Sequence, residues 1–125
     1  MEIINREFLN QLSKKASENE RLRINHNFHQ SPDAPSQRLL NAMEPGTRIP
    51  VHKHDHTAET YVLLSGSIRV DFYNAENEVS ESAVLDPKQG TYGINIPAGQ
   101  IHSLEVLETS TVIFECKDGP YVPIQ

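Results

Sequence analysis

The spacing of hydrophobic positions changes near residue 20 and divides the chain into two parts. Before it, four apolar residues recur at every fourth position: Ile4, Phe8, Leu12 and Ala16. This spacing predicts an amphipathic helix over residues 4–17, which we expect to lie on the surface of the domain. Asn5 is a residue type that caps a helix start.

After residue 20, apolar and polar residues alternate, as they do in strands with one buried face. Such segments, separated by Pro- and Gly-containing or polar turns, occupy 38–44, 48–54, 59–64, 67–73, 79–85, 91–96, 102–107 and 111–117. Residues 29–36 are irregular and predict a loop. About eight short strands without strand–helix–strand alternation predict an all-β sandwich or barrel.

The length of 125 residues allows one domain. We expect residues 1–36 to form a helix and extension packed on a barrel of residues 37–125. The net charge of −6 argues against a nucleic-acid partner, which needs a basic surface. The sequence has one cysteine and no apolar run long enough to span a bilayer. We therefore expect a cytoplasmic protein without a membrane partner.

The strongest chemical signal is the segment 52–56, which reads His-Lys-His-Asp-His. Residues two apart share one face of a strand, so His52 and His54 can bind one ion together. Glu59 can add a carboxylate oxygen, and His102 is the candidate fourth ligand. The sequence leaves open whether His56 is a further ligand or a solvated loop residue.

Three imidazoles and one carboxylate leave one or two open positions on an octahedral divalent ion. We expect one ion per chain, and these ligand types do not choose among Fe, Mn, Ni and Zn. The resulting positive charge favours a small anionic or chelating molecule as the partner, such as a carboxylate or a pair of sugar hydroxyls.

Two further residues are candidates for catalysis and substrate binding. By strand parity, Arg48 shares the face of His52, where it can pair with a carboxylate or phosphate. Tyr61 shares the face of Glu59 and can donate a hydrogen bond or act as an acid. The alternatives are a solvated strand end for Arg48 and, for Tyr61, a core aromatic with its hydroxyl bonded to the backbone.

Several other polar residues have no role that the sequence decides. Gln37, Arg38 and Asn41 can face a pocket or a subunit interface. His26 and His29 are expected in loops or on the surface.

The candidate ligands belong to a longer pattern. Five residues follow the spacing G-x5-H-x-H-x4-E-x6-G: Gly46, His52, His54, Glu59 and Gly66. This spacing resembles the first cupin motif, and Pro97, Gly99 and His102 resemble part of the second. Thr91 and Val106 stand where the second motif has its leading Gly and closing Asn. The resemblance implies a small jelly-roll barrel with one metal ion inside.

Three segments extend the resemblance to the WbuC-type cupin metalloproteins, which are encountered among bacterial surface-polysaccharide genes. They are residues 37–47, residues 114–121 and, more loosely, residues 21–29. The resemblance implies a short helix before the barrel and the ligand set His52, His54, Glu59 and His102. It names no reaction.

Two classes of function remain open. An enzyme with this ligand set would be a metal-dependent isomerase or an iron-dependent dioxygenase. A binding module would hold a metal ion and a small ligand without turnover. In either case we expect a homodimer, because the apolar content is low and the helix has an apolar face.

Overall fold

A computed structural model describes residues 1–123 and shows two antiparallel sheets with one helix against the outside. The helix is α1 (Arg6–Glu18), and the strands are β1 (Arg23–Asn27), β2 (Ser36–Met43), β3 (Ile49–His52), β4 (Glu59–Ser65), β5 (Ile68–Tyr73), β6 (Val79–Leu85), β7 (Gly93–Ile96), β8 (His102–Val106) and β9 (Thr111–Asp118). A short 3-10 helix, Pro87–Gln89, precedes β7.

The strands form a five-stranded sheet of order β1-β2-β9-β4-β7 and a four-stranded sheet of order β3-β8-β5-β6. All pairings between them are antiparallel. This is the predicted all-β jelly-roll barrel with a short N-terminal helix.

Helix α1 starts where its cap predicts. The Asn5 side chain accepts a hydrogen bond from the Phe8 backbone N–H at 2.9 Å, which satisfies a donor that has no partner within the helix. Leu12 and Ala16 are buried and pack with Leu40 and other apolar residues of β2 and β9. The chain's own sheet therefore covers the apolar face on which the expectation of a dimer was based.

Strand β1 is the element that the hydrophobic pattern did not predict. Its sequence, Arg-Ile-Asn-His-Asn, has one apolar residue, and it lies at the edge of the larger sheet, paired with β2 alone. An edge strand with a polar inner face lacks the alternation that marks a buried strand. The segment 1–36 thus contributes both the helix and a strand of the sheet.

The space between the sheets has an apolar half and a polar half. The apolar half is packed by buried side chains that include Met43, Ile68, Val70, Leu85 and Ile113. The polar half contains buried histidine and carboxylate side chains instead. The division fixes where chemistry can occur in this barrel.

Candidate metal centre and ligand cavity

Two histidines meet at the adjoining ends of strands β3 and β8. His52 is the last residue of β3 and pairs directly with His102, the first residue of β8. Their ring centroids are 4.3 Å apart, and both side chains are buried. Glu59, the first residue of β4 in the opposite sheet, is also buried and faces them.

The backbone fixes which nitrogen of each ring faces the site. Nδ1 of His52 bonds the Pro50 carbonyl, and Nδ1 of His102 bonds the Gln100 carbonyl, each at 2.8 Å. Because a carbonyl only accepts, each Nδ1 carries a proton, and a neutral ring therefore offers the lone pair of Nε2 to the site. Burial lowers the pKa of His52 and so favours the same neutral ring. Metal-binding histidines are oriented by contacts of this kind.

His102 provides the test of whether these residues fit a metal ion. Its Nε2 is buried without a hydrogen-bond partner, and it lies 3.4 Å from Oε2 of Glu59. A lone pair facing a carboxylate at this distance is unfavourable, and either a proton on Nε2 or a metal cation between the two groups relieves the repulsion. The residues therefore fit a divalent ion.

His54 completes the set that the sequence predicts. It lies beyond the end of β3, and its Nε2 is 2.7 Å from Oε1 of Glu59. Ligands at right angles on one ion, with bonds of about 2.1 Å, lie about 3 Å apart. One ligand atom each from His52, Glu59 and His102 also lie within 4.8 Å of one another. The structure thus brings His52, Glu59 and His102 together and places His54 against Glu59 outside this group of three.

Two side chains hold the Glu59 carboxylate. The Tyr61 hydroxyl donates to Oε2 at 2.7 Å, and Nζ of Lys117 lies 3.4 Å from Oε1. Burial opposes ionisation of Glu59, but its contacts with His102, His54 and Tyr61 hold its pKa well below the usual range. Burial and the charges of Glu115 and Glu59 raise the pKa of Tyr61. Tyr61 therefore orients Glu59 and keeps its proton, and its hydroxyl is not bonded to the backbone.

We expect Tyr61→Phe to weaken metal binding about 10- to 100-fold, the usual effect of removing a group that orients a ligand. Competition with a chromophoric chelator measures the affinity. Tyr73→Phe is the matched control, because its hydroxyl contacts Ser103 and not a candidate ligand. Equal affinities of the two variants would contradict the orienting role.

Arg48 and His56 are not brought to this site. The pairing of β3 with β8 shifts register between Ile49 and His52. The alternation of side chains that placed Arg48 on the same face as His52 is therefore interrupted. Ile49 lines the cavity and Arg48 is exposed, which corrects the expected face. His56 is exposed in the loop before β4.

Two of the candidate ligands, His54 and Glu59, border a cavity of about 690 Å³. Its lining includes His54, Glu59 and Tyr61, and also Asn41, Glu115 and Lys117. Asn25 and His29 are among the residues of its outer side. A cavity of this size is typical of small-molecule sites.

Glu115 and Lys117 were not predicted, although the pattern contained the signal. Val112, Phe114 and Cys116 alternate along one face of β9, so the residues between them occupy the other face. The face that carries Glu115 and Lys117 lines the polar cavity.

The residues with undecided roles separate into two groups. Gln37 donates to the Pro32 and Ala34 carbonyls at 3.3 and 2.9 Å and anchors the 29–36 loop as a cavity wall. Asn41 also lines the cavity, whereas Arg38 is exposed outside it.

The two outlying histidines also differ. His29 lies in the loop after β1, as expected, and also lines the cavity; its Nδ1 accepts from the Arg38 backbone N–H at 3.1 Å. His26 lies edge-on to Phe8 and Phe28 and contacts Glu2 at 2.8 Å.

A family model described as "Domain of unknown function (DUF6016)" matches residues 4–85. The chain belongs to the DUF6016 family. A search of curated protein sequences gives no match to this DUF6016 chain. Within residues 1–123, no helix is long and apolar enough to cross a membrane.

Solved structures similar to this DUF6016 chain have the cupin fold. KdgF from Halomonas sp. superposes with a TM-score of 0.61 at 14% identity, covering 77% of this chain and 79% of KdgF. A cupin-2 domain containing protein from Shewanella frigidimarina gives 0.59 at 17%, covering 77% and 80%. The capsular polysaccharide assembling protein CapF from Staphylococcus aureus gives 0.57 at 19%, covering 78% of this chain and 28% of CapF. The expected cupin fold is confirmed.

We expect Glu115 to make the stability of the DUF6016 chain depend on pH. Burial, and then the charge of Glu59, raise its pKa from 4.5 to about 7. The folded state thus binds more protons than the unfolded state between these values, so the free energy of unfolding falls as pH rises through about 7. We expect metal-free wild type to lose about 2 kcal/mol more than Glu115→Gln between pH 5 and pH 8. Urea unfolding at both pH values measures this difference, and parallel profiles would contradict the prediction.

Proposed function

We propose that this chain binds one divalent metal ion through His52, His54, Glu59 and His102 and holds a small polar ligand beside it. The observation that carries the proposal is the buried Nε2 of His102, which faces the Glu59 carboxylate without a hydrogen-bond partner. A bound ion would act as a Lewis acid with open positions for oxygen atoms of the ligand. Fe, Mn, Ni and Zn all accept this ligand set.

The protein's own residues supply the remaining functions. Tyr61 and Lys117 orient Glu59. The barrel wall and the 29–36 loop, which Gln37 anchors, enclose the ligand. Cationic and polar side chains around the cavity suit a sugar-like molecule or a carboxylate.

The printed name of CapF and the resemblance to WbuC-type proteins support a link to bacterial surface polysaccharide. CapF is named as a capsular polysaccharide assembling protein, and this chain spans 28% of its length. We therefore propose sugars of such polymers as the first ligands to examine.

Elemental analysis of the tag-free protein, as purified and after reconstitution, tests the metal site. We expect about one equivalent of Fe, Mn, Ni or Zn per chain. No bound metal in either state would overturn the proposal. The metal found also selects the assay, since iron calls for O2 consumption with candidate ligands, and Zn, Mn or Ni for sugar isomerisation.

A binding module without turnover is the second candidate. Tyr61 is committed to Glu59 and Arg48 lies outside the cavity, so neither residue proposed for catalysis is free to act. Recovery of an unchanged ligand after incubation with metal-loaded protein supports this candidate. Conversion of the ligand to product excludes it.

A cytoplasmic homodimer remains our proposal for the assembly. Although the sheet covers the face of α1, Val62 and Leu64 expose apolar side chains on the outside of β4. Light scattering at micromolar concentration should give twice the chain mass of 14.1 kDa. A mass of one chain would contradict it.

A further inference from the structure

Asn41 is a buried polar side chain with an unsatisfied acceptor. It lies on β2, is 7% exposed and lines the cavity. Its Nδ2 donates to Oε1 of Glu115 at 3.2 Å, whereas its Oδ1 has no hydrogen-bond partner. Buried acceptors in native proteins are nearly always paired. The unpaired oxygen therefore points to a donor that a ligand supplies.

Glu115 fixes the orientation of this amide and adds acceptor capacity. A carboxylate attracts the NH2 end of an amide, which leaves Oδ1 directed away from it. Among residues 1–123, Asn41 alone donates to Glu115, and Lys117 pairs with Glu59 instead. Two neighbouring groups thus present acceptors without a cation between them.

The position of this pair relates it to the metal centre. Glu115 is the cross-strand partner of Tyr61, whose hydroxyl contacts Glu59. Adjacent strands are about 4.8 Å apart. Asn41 is in turn opposite Asn25 of β1, which also lines the cavity. A ligand of sugar size can therefore reach both the ion and this pair.

We propose that Asn41 and Glu115 form a subsite that accepts hydrogen bonds from adjacent hydroxyl groups of a sugar-like ligand. This inference rests on the proposed function, since the subsite opens into the cavity beside the metal ligands. Hydroxyls match it because they donate without bringing negative charge towards Glu115. A carboxylate or phosphate ion has only acceptors to offer and would leave Oδ1 of Asn41 unpaired.

Nuclear magnetic resonance of the Asn41 side-chain amide tests the subsite directly. The resonance is assigned by its absence in Asn41→Ala. Metal-loaded and metal-free proteins are titrated with D-glucose, D-mannose and D-galactose, and with sodium acetate as an anion without hydroxyls. We expect at least one hexose to shift the resonance saturably, while acetate leaves it unchanged.

Variants then assign the binding energy. We expect Asn41→Ala to weaken hexose binding about tenfold, as measured by calorimetry. Asn95→Ala, an exposed asparagine on β7, should bind as wild type does. If circular dichroism shows that Asn41→Ala is unfolded, hexose binding is measured with Glu115→Gln instead. This substitution keeps the shape of the side chain.

The outcomes separate this inference from the proposed function. A wild-type protein that binds metal but shows no hexose shift, or equal binding by Asn41→Ala, overturns the subsite. A protein that binds no metal overturns the proposed function, whatever the hexoses do.

Discussion

Replacing His102 by alanine is expected to lower the affinity for Zn²⁺ and Mn²⁺ by more than about 100-fold, beyond the usual effect of changing a group behind a ligand. His102 is 1% exposed, and Gln100 fixes its ring. No solvated side chain can replace its Nε2 at that depth. Loss of this nitrogen removes one of the three mutually close candidate ligands, so the remaining residues would hold the ion less tightly.

His56→Ala is the matched control, because it removes an exposed imidazole only a few residues from His52. It should keep wild-type affinity. Dissociation constants come from competition with a chelating dye, with circular dichroism to show that both variants fold. A His102→Ala protein that binds metal as tightly as His56→Ala would exclude His102 as a ligand.

Gly66→Ala is expected to destabilise the fold by about 4 kcal/mol, a large part of the stability of a typical domain. Gly66 has φ +79°, which costs an L-residue about 1 kcal/mol. A Cβ there would also lie 2.6 Å from Cα of Thr111. Thr111 is fully buried at the start of β9, so relief of this clash would require the backbone to move.

Gly90→Ala separates the two contributions. Gly90 has φ +83°, but a Cβ there would meet nothing within 4 Å. It should therefore lose only about 1 kcal/mol, the cost of the backbone conformation alone. Urea unfolding monitored by circular dichroism compares the two variants. Equal losses would show that the approach to Thr111 is not what requires glycine at 66.

The helix and most strands could be predicted because their burial follows a regular period. Helix α1 and strands such as β5 bury residues at the spacing that the sequence shows. Strand β1 could not be predicted in this way, since it is an edge strand whose inner side faces a polar cavity. Its pairing depends on the backbone of β2, and backbone pairing leaves no hydrophobic pattern.

The candidate metal ligands could be singled out in the sequence because their spacing along the chain is short and regular, with only His102 distant. The face on which Arg48 lies could not be predicted, since a register shift in β3 interrupts the alternation of side chains between Ile49 and His52. The wall formed by Asn41 and Glu115 depends on two strands that meet only in the folded sheet. Contacts of that kind have no local signature.

The placement of β1 would make the preference for the proposed ligand separable from folding. Asn25 and Asn27 line the cavity from this edge strand, while the apolar half of the barrel is built by other strands. Substitutions at these two positions would change the lining of the cavity without removing a core contact or a candidate metal ligand. If the proposed ligand binds in this cavity, changing one short strand is a route to redesigning its selectivity.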